Sequence, residues 1–139
     1  MKKLMRLDFI PVNSDIAWLL LRVWLGLSLF IMHGIEKIAG FSTMQGHFPD
    51  PIHIGRTPGL IFALLSDSIC SLLVILGLFT RIASGIIVLN LLVVFIFLHG
   101  FSFDKEHAQL VYVYLGGYLA IFISGGGKYS IGKKPWLFF

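Results

Sequence analysis

Two sets of residues in this chain have types and spacing that could do chemistry. The first is built on histidine. His33 closes the stretch Phe30-Ile31-Met32-His33-Gly34, and His99 closes Ile96-Phe97-Leu98-His99-Gly100. Acidic residues follow each, Glu36 after the first and Asp104 and Glu106 after the second. Residues three and four apart share a helix face, so His33, Glu36 and Lys37 line up if the chain there is helical. With His99 and Glu106 they make a candidate cup of imidazole, carboxylate and ammonium groups. Imidazole titrates near neutrality, with an ordinary pKa of about 6.5, so the cup suits proton transfer or a polar head group. The same donors suit zinc, iron or copper, but no metal is assigned to them. The alternative is that these histidines cap helix ends and meet lipid head groups.

The second set is Arg22, Asp67, Asn90 and Tyr118, each inside an otherwise apolar run. A charge near a bilayer centre costs about 2.5–3.5 kcal/mol on insertion scales, and such residues usually face inward and pair. Depth can be counted at about 1.5 Å per residue from one common plane at the ends of the runs. That count places Arg22 about 10 Å in, Asn90 about 12 Å and Asp67 about 17 Å, with Tyr118 at similar depth. The expectation is an Arg22–Asp67 pair near the midplane. It serves either as a bridge that fixes helix packing or as a proton or ligand site. Cys70, one turn from Asp67, reads as a small packing residue.

Four apolar runs must position these groups: Ile16–Met32, Gly59–Phe79, Ile82–Leu98 and Ala108–Ser124. Each reaches the roughly 17–25 residues of a spanning helix, and none shows the alternation of barrel strands. The composition agrees. Among 139 residues, 57% are hydrophobic and 13% charged, and mean hydropathy is +0.88. A soluble domain carries about 25% charged residues, so an ordinary soluble enzyme is excluded, and so is a disordered chain. The fold class expected is all-α, an integral membrane antiparallel four-helix bundle forming one domain over 1–139. Its helices cover about 16–36, 58–79, 82–100 and 107–124.

The loops carry further signals. Pro58 suits the first turn of the second helix, Thr80 and Arg81 make a tight turn, and Gly125-Gly126-Gly127 stops the fourth helix. The glycine run followed by Lys128 lacks the order and spacing of a phosphate-binding loop. The surface loop 39–57 holds Ser42-x-x-Gln45, a capping-box pattern for a short helix. Phe41, Met44 and Phe48 suggest that this loop lies on the membrane surface as a lid. Lys2, Lys3, Arg6, Arg81, Lys128, Lys133 and Lys134 fall on one side, against Lys37, Arg56 and Lys105 on the other. That bias puts both termini in the cytoplasm. The first run is too long for a signal peptide and has no small-x-small cleavage site, so it reads as retained. The formal charge of +4 suits anionic lipid better than nucleic acid, for which no basic stripe exists. One cysteine excludes an internal disulfide or a cysteine-ligated cluster.

Taken in order, these residues resemble the DoxX family of small bacterial four-helix membrane proteins, over about residues 15–131. The likeness is carried by Leu21-Arg22-x-x-x-Gly26, by His33-Gly34-x-x-Lys37-x-x-Gly40, and by Gly77-Leu78-Phe79-Thr80-Arg81. His99-Gly100, Glu106 and Tyr129-Ser130-Ile131 complete it. Asp67 stands where the family usually has Glu. Lys128 stands for an arginine, no proline is present in the terminal motif, and Gly132 occupies an expected Asp position. The family name comes from a subunit linked to thiosulfate–quinone oxidoreductase, and other members are similar to partners in redox-stress complexes. The resemblance implies a redox-associated subunit of the bacterial inner membrane. Membrane lipids and a redox partner subunit are its expected partners, with homo-oligomerisation open, and a quinone is the only cofactor suggested. The sequence shows no haem, flavin or dinucleotide motif. An oxidoreductase activity of the chain alone is therefore not assigned. The alternatives are a noncatalytic binder or transporter of a lipid or small metabolite, and a structural scaffold.

Overall fold

A computed structural model describes residues 1–7, 9–50, 53–98 and 108–131. Those residues are all helix, turn and coil, with no strand among them. The helix α1 covers Ser14–Ala39, α2 covers Arg56–Leu76, and α3 runs Thr80–Val93 and continues as a π-helical turn, Val94–Leu98. The fourth, α4, is Ala108–Ser124. The first three are long and apolar enough to cross a membrane, and α4 is a shorter apolar helix of 17 residues.

Local chemistry explains the boundaries. The Asn13 side chain accepts from the Ile16 amide at 3.2 Å and caps the start of α1. Gly77 ends α2 at φ +77°, and the Leu78 amide reaches back to the Leu73 carbonyl at 2.9 Å. That closure places the turn at residues 77–79, so Thr80 and Arg81 sit in the first turn of α3 instead of forming the turn. In the loop, the short helix Phe41–Met44 is preceded by Gly40 and has no side-chain cap. Ser42 lies inside it, so the capping-box expectation fails: its side chain is already past the position where a cap must sit.

The distribution of polarity is inverted relative to a water-soluble domain. Arg22, Lys37, Asp67, Asn90, Ser71 and Ser84 are buried, whereas Leu20, Trp24, Ile31, Ile69, Leu89 and Ile123 are exposed. In hydrocarbon, a polar group is costly unless it is satisfied inside the protein, and an exposed leucine costs nothing. The inner contacts centre on Leu25, Leu29, Val74, Ile87, Leu91 and Tyr118. α3 packs along α4 and also against α2, and α1 packs against both α2 and α4.

Glycines set the closest approaches. A Cβ on Gly34 would lie 2.7 Å from the Asp67 carbonyl oxygen, and one on Gly26 would lie 3.1 Å from the Ser71 carbonyl oxygen. α1 and α2 therefore nearly touch backbones at two levels. A Cβ on Gly117 would lie 2.5 Å from the Leu25 side chain of α1, whereas among the described residues nothing stands near Gly116.

Three of the four helices carry a π-helical turn among the described residues: Phe30–Gly34 in α1, Leu65–Cys70 in α2 and Val94–Leu98 in α3. A π turn displaces carbonyls from their ordinary partners, and serine hydroxyls can take their place. In α2 they do. Ser71 donates to the Asp67 and Ser68 carbonyls at 2.8 and 2.7 Å, and Ser68 donates to that of Leu64. The polar run Ser66-Asp67-Ser68 thus belongs to a helix whose backbone is locally rewired.

Candidate functional site

Lys37 and Asp67 are both buried, and Lys37 Nζ lies 2.6 Å from Asp67 Oδ2. The other carboxylate oxygen accepts from Asn90 Nδ2 at 3.4 Å. Lys37 also donates to the His33 carbonyl at 3.5 Å, one of the groups in the α1 π turn. The cluster therefore joins α1, α2 and α3. Burying two charges is unfavourable unless geometry and extra hydrogen bonds offset desolvation, and here both are present.

This cluster forms the floor of a cavity of about 270 Å³. Leu29, Phe62, Ala63, Leu91 and Val111 supply apolar walls. His33 and Tyr114 line it together, with their rings edge to face at 6.3 Å. The Tyr114 hydroxyl donates to Met32 Sδ at 3.5 Å. Phe48, Pro49, Asp50 and Ile54 of the loop complete the lining. All three π turns bring a residue to this cavity: His33, Asp67 and Val94. π turns are frequent at functional sites because they re-aim side chains.

Asp50 lines the cavity from the loop, and its role was not legible in the sequence. Its two oxygens accept from the Ile54 and Gly55 amides at 3.0 and 3.1 Å, so it organises the turn that leads into α2. The signal available was Phe48-Pro49-Asp50-Pro51, a sequence that forbids further helix and suits a turn. Tyr114 was also missed, although it precedes Tyr118 by four residues and must share its face.

The expected Arg22–Asp67 pair is not formed. Arg22 sits at the opposite end, where its guanidinium donates to the Gly126 carbonyl, to Tyr129 at 2.6 Å and to Ile75 at 3.5 Å. These are carbonyls at the C-terminal end of α2 and in the segment that follows α4. The physical reason is register. The depth count assumed that all helices start at one plane, but about 12 Å of α1, Ser14 to Arg22, precedes the level of Ile75. Helix C-termini leave carbonyls unpaired and carry partial negative charge, and a forked guanidinium satisfies both. Arg81 acts similarly, donating to the Phe122 carbonyl at 3.1 Å with its guanidinium over the Phe122 ring.

The remaining candidates divide. His33, Lys37 and Asn90 reach the cavity. Glu36 is exposed and does not line it, because α1 turns about 100° per residue and Lys37 takes the position facing α2. Tyr118 joins neither polar cluster; its hydroxyl donates to the Leu25 carbonyl at 2.9 Å. His99 and Glu106 lie outside the described residues. Of the expected lid residues, Phe48 lines the cavity, whereas Phe41 and Met44 are half-buried and are not part of its lining. Among the described residues, no group of three or more His, Cys, Asp or Glu side chains could hold a metal ion.

Comparison with known proteins adds one finding. No curated protein and no solved structure matches the chain. The family model for DoxX matches residues 17–100, more than half of the sequence. That stretch contains α2 and α3 whole, nearly all of α1, and the complete Lys37–Asp67–Asn90 cluster. With three helices fit to cross a membrane and its polar groups turned inward, the chain is a membrane protein of the DoxX family.

Proposed function

We propose that this protein is the membrane subunit of a quinone-linked redox or redox-stress complex, and that its cavity receives the quinone head group. The observation that carries this reading is the cavity itself: apolar walls around a small, ordered polar floor. Ligand sites are typically of that kind, with volumes of about 300–1,000 Å³, and about 270 Å³ suits a head group with its tail outside. A bound quinone supplies reversible two-electron, two-proton chemistry. The chain's own residues would bind and orient it. Lys37 and Asn90 present N–H donors at the floor, His33 and Tyr114 flank it with polar rings, and Asp67 holds the ammonium in place. With no redox motif in its own sequence, the chain relies on a partner subunit to bring electrons.

The same reading places the protein in the bacterial inner membrane as an antiparallel four-helix bundle with both termini cytoplasmic. The contacts of α1 with α2 and α4, and of α3 with α2 and α4, support the bundle. The cation bias supports the orientation. Cysteines introduced at residues 46 and 128 of a Cys70→Ser background should react with an impermeant thiol reagent from opposite sides.

Binding tests the reading directly. A short-chain quinone should bind the purified full chain, and the paired change Lys37→Met with Asp67→Leu should abolish that binding while the helices stay folded. A chain that binds no quinone but retains co-purifying lipid would favour the noncatalytic lipid or metabolite carrier, which the largely apolar walls also fit. The partner subunit should be recovered by gentle extraction and crosslinking.

A further inference from the structure

Taking the cavity as the ligand site, its charges restrict what can enter. Among the described residues, the ionisable side chains lining it are His33, Lys37, Asp50, Asp67 and Tyr114. Two of these are carboxylates and one is an ammonium. Each charge already has a partner. Lys37 is bonded to Asp67 at 2.6 Å, Asp67 also accepts from Asn90, and Asp50 accepts from the Ile54 and Gly55 amides.

An anionic head group would meet two carboxylates against one ammonium that is already neutralised. Apolar walls leave little solvent to screen the repulsion. A cationic head group would have to compete with Lys37 for Asp67 or with the Ile54 and Gly55 amides for Asp50. An uncharged hydroxyl or carbonyl head meets neither obstacle. The Asn90 amide, the Tyr114 hydroxyl and the third proton of the Lys37 ammonium are the groups suited to bond it. The limited volume admits a head and part of one chain, not the bulk of a two-chain lipid.

We propose that the cavity selects an uncharged, single-chain amphiphile, and that the Lys37–Asp67 ion pair is the element that rejects ionised lipid heads. The pair is a specificity device: its two charges cancel, and the other lining carboxylate, Asp50, is taken up by the Ile54 and Gly55 amides, so an entering charge finds no unpartnered counterion. Removing one member leaves the other as a vacant counterion and converts the site to the opposite charge class. Asp67→Asn leaves Lys37 to accept a carboxylate. Lys37→Met leaves Asp67 to accept an alkylammonium.

The test uses the full chain in nanodiscs of zwitterionic phosphatidylcholine. Three photoreactive probes share one medium-length alkyl chain and differ in the head: an alcohol, an ionised carboxylate and an amine. Crosslinked peptides are mapped by mass spectrometry to the segments containing Phe48, Phe62 and Val111. In the unaltered protein, the alcohol should label these segments at least about tenfold more than either ion, equivalent to about 1.4 kcal/mol. Asp67→Asn should raise carboxylate labelling about tenfold, and Lys37→Met should do the same for the amine. The comparison in the unaltered protein decides the matter even if a variant fails to fold. Equal labelling by alcohol and carboxylate, or no labelling of the cavity by the alcohol, overturns the proposal. A short-chain quinone used as competitor separates the two claims. If it fails to displace the alcohol, the redox reading falls and the selectivity stands. If it displaces a carboxylate that labels equally well, the selectivity falls and the quinone site stands.

Discussion

Arg22 and Lys37 are both buried cations on α1, yet their surroundings differ in kind. Arg22 is held by backbone carbonyls of α2 and of the segment after α4, in a seam closed by Gly77, Gly126 and Ser130. Lys37 is held by one carboxylate at the floor of an open cavity. The first arrangement consumes the charge in joining the end of α2 to the segment after α4, and no ligand need be invoked. The second keeps a charge pair where a ligand can reach it. Burial of a charge therefore does not identify a site; the nature of its partner and the adjoining space do.

The largest effect should come from Arg22→Ala. It removes the donor for three carbonyls, each worth about 1–3 kcal/mol when left unsatisfied. A loss of about 4 kcal/mol or more is expected in thermal or denaturant unfolding in detergent. Arg22→Lys should rescue little, because an ammonium cannot fork between carbonyls. If Arg22→Ala unfolds normally but loses ligand, the contrast between the two cations collapses.

Asp67→Leu alone should cost about 3 kcal/mol, since it strands Lys37 as an unpaired buried charge. Adding Lys37→Met should restore most of that loss while leaving ligand binding absent. Replacing a buried pair by apolar groups is often neutral for stability, so the double variant separates fold from function. A double variant no more stable than the single one would make the pair structural, like Arg22.

Gly34→Ala should cost about 1–3 kcal/mol through overpacking. Its new methyl would meet the Asp67 carbonyl at 2.7 Å, and backbone there cannot step aside. Ligand affinity should fall with stability, because this crossing sets the position of Asp67. The smallest effect belongs to Tyr118→Phe, which loses one hydrogen bond to the Leu25 carbonyl, about 1 kcal/mol. It lies between the two clusters, so quinone or alcohol binding should be unchanged. A loss of binding there would extend the site toward Arg22.

Much of the fold was legible because hydrocarbon imposes a strict rule. Long apolar runs free of breakers must be helices, since only a helix satisfies its own backbone. Punctuation by Pro58 and Gly125 marked two of the ends to within a few residues, whereas Gly77, which closes α2, was read as lying inside the second helix. Site residues were harder. Lys37, Asp67 and Asn90 stood out as polar residues in or beside apolar runs, and all three meet. Their pairing did not follow from position, because the runs start at different levels and α1 extends beyond α2. Tyr114 and Asp50 drew no notice, as a tyrosine in a helix and an aspartate between prolines have ordinary uses.

The sequence by itself determined that this chain is helical, apolar outside and polar within, and that it belongs with DoxX. Composition and run length decide the helices and their polarity, since each residue's transfer free energy acts locally and sums along a run, and the ordered motifs from Leu21-Arg22 to Thr80-Arg81 carry the family. Only the tertiary structure decided that Asp67 takes Lys37 and not Arg22, and that Glu36 points away. It also decided that the loop residues Phe48 to Asp50 complete a cavity. Those outcomes depend on how far one helix slides along another, and the glycine contacts at Gly26 and Gly34 and the π turns set that register through the packing of distant segments.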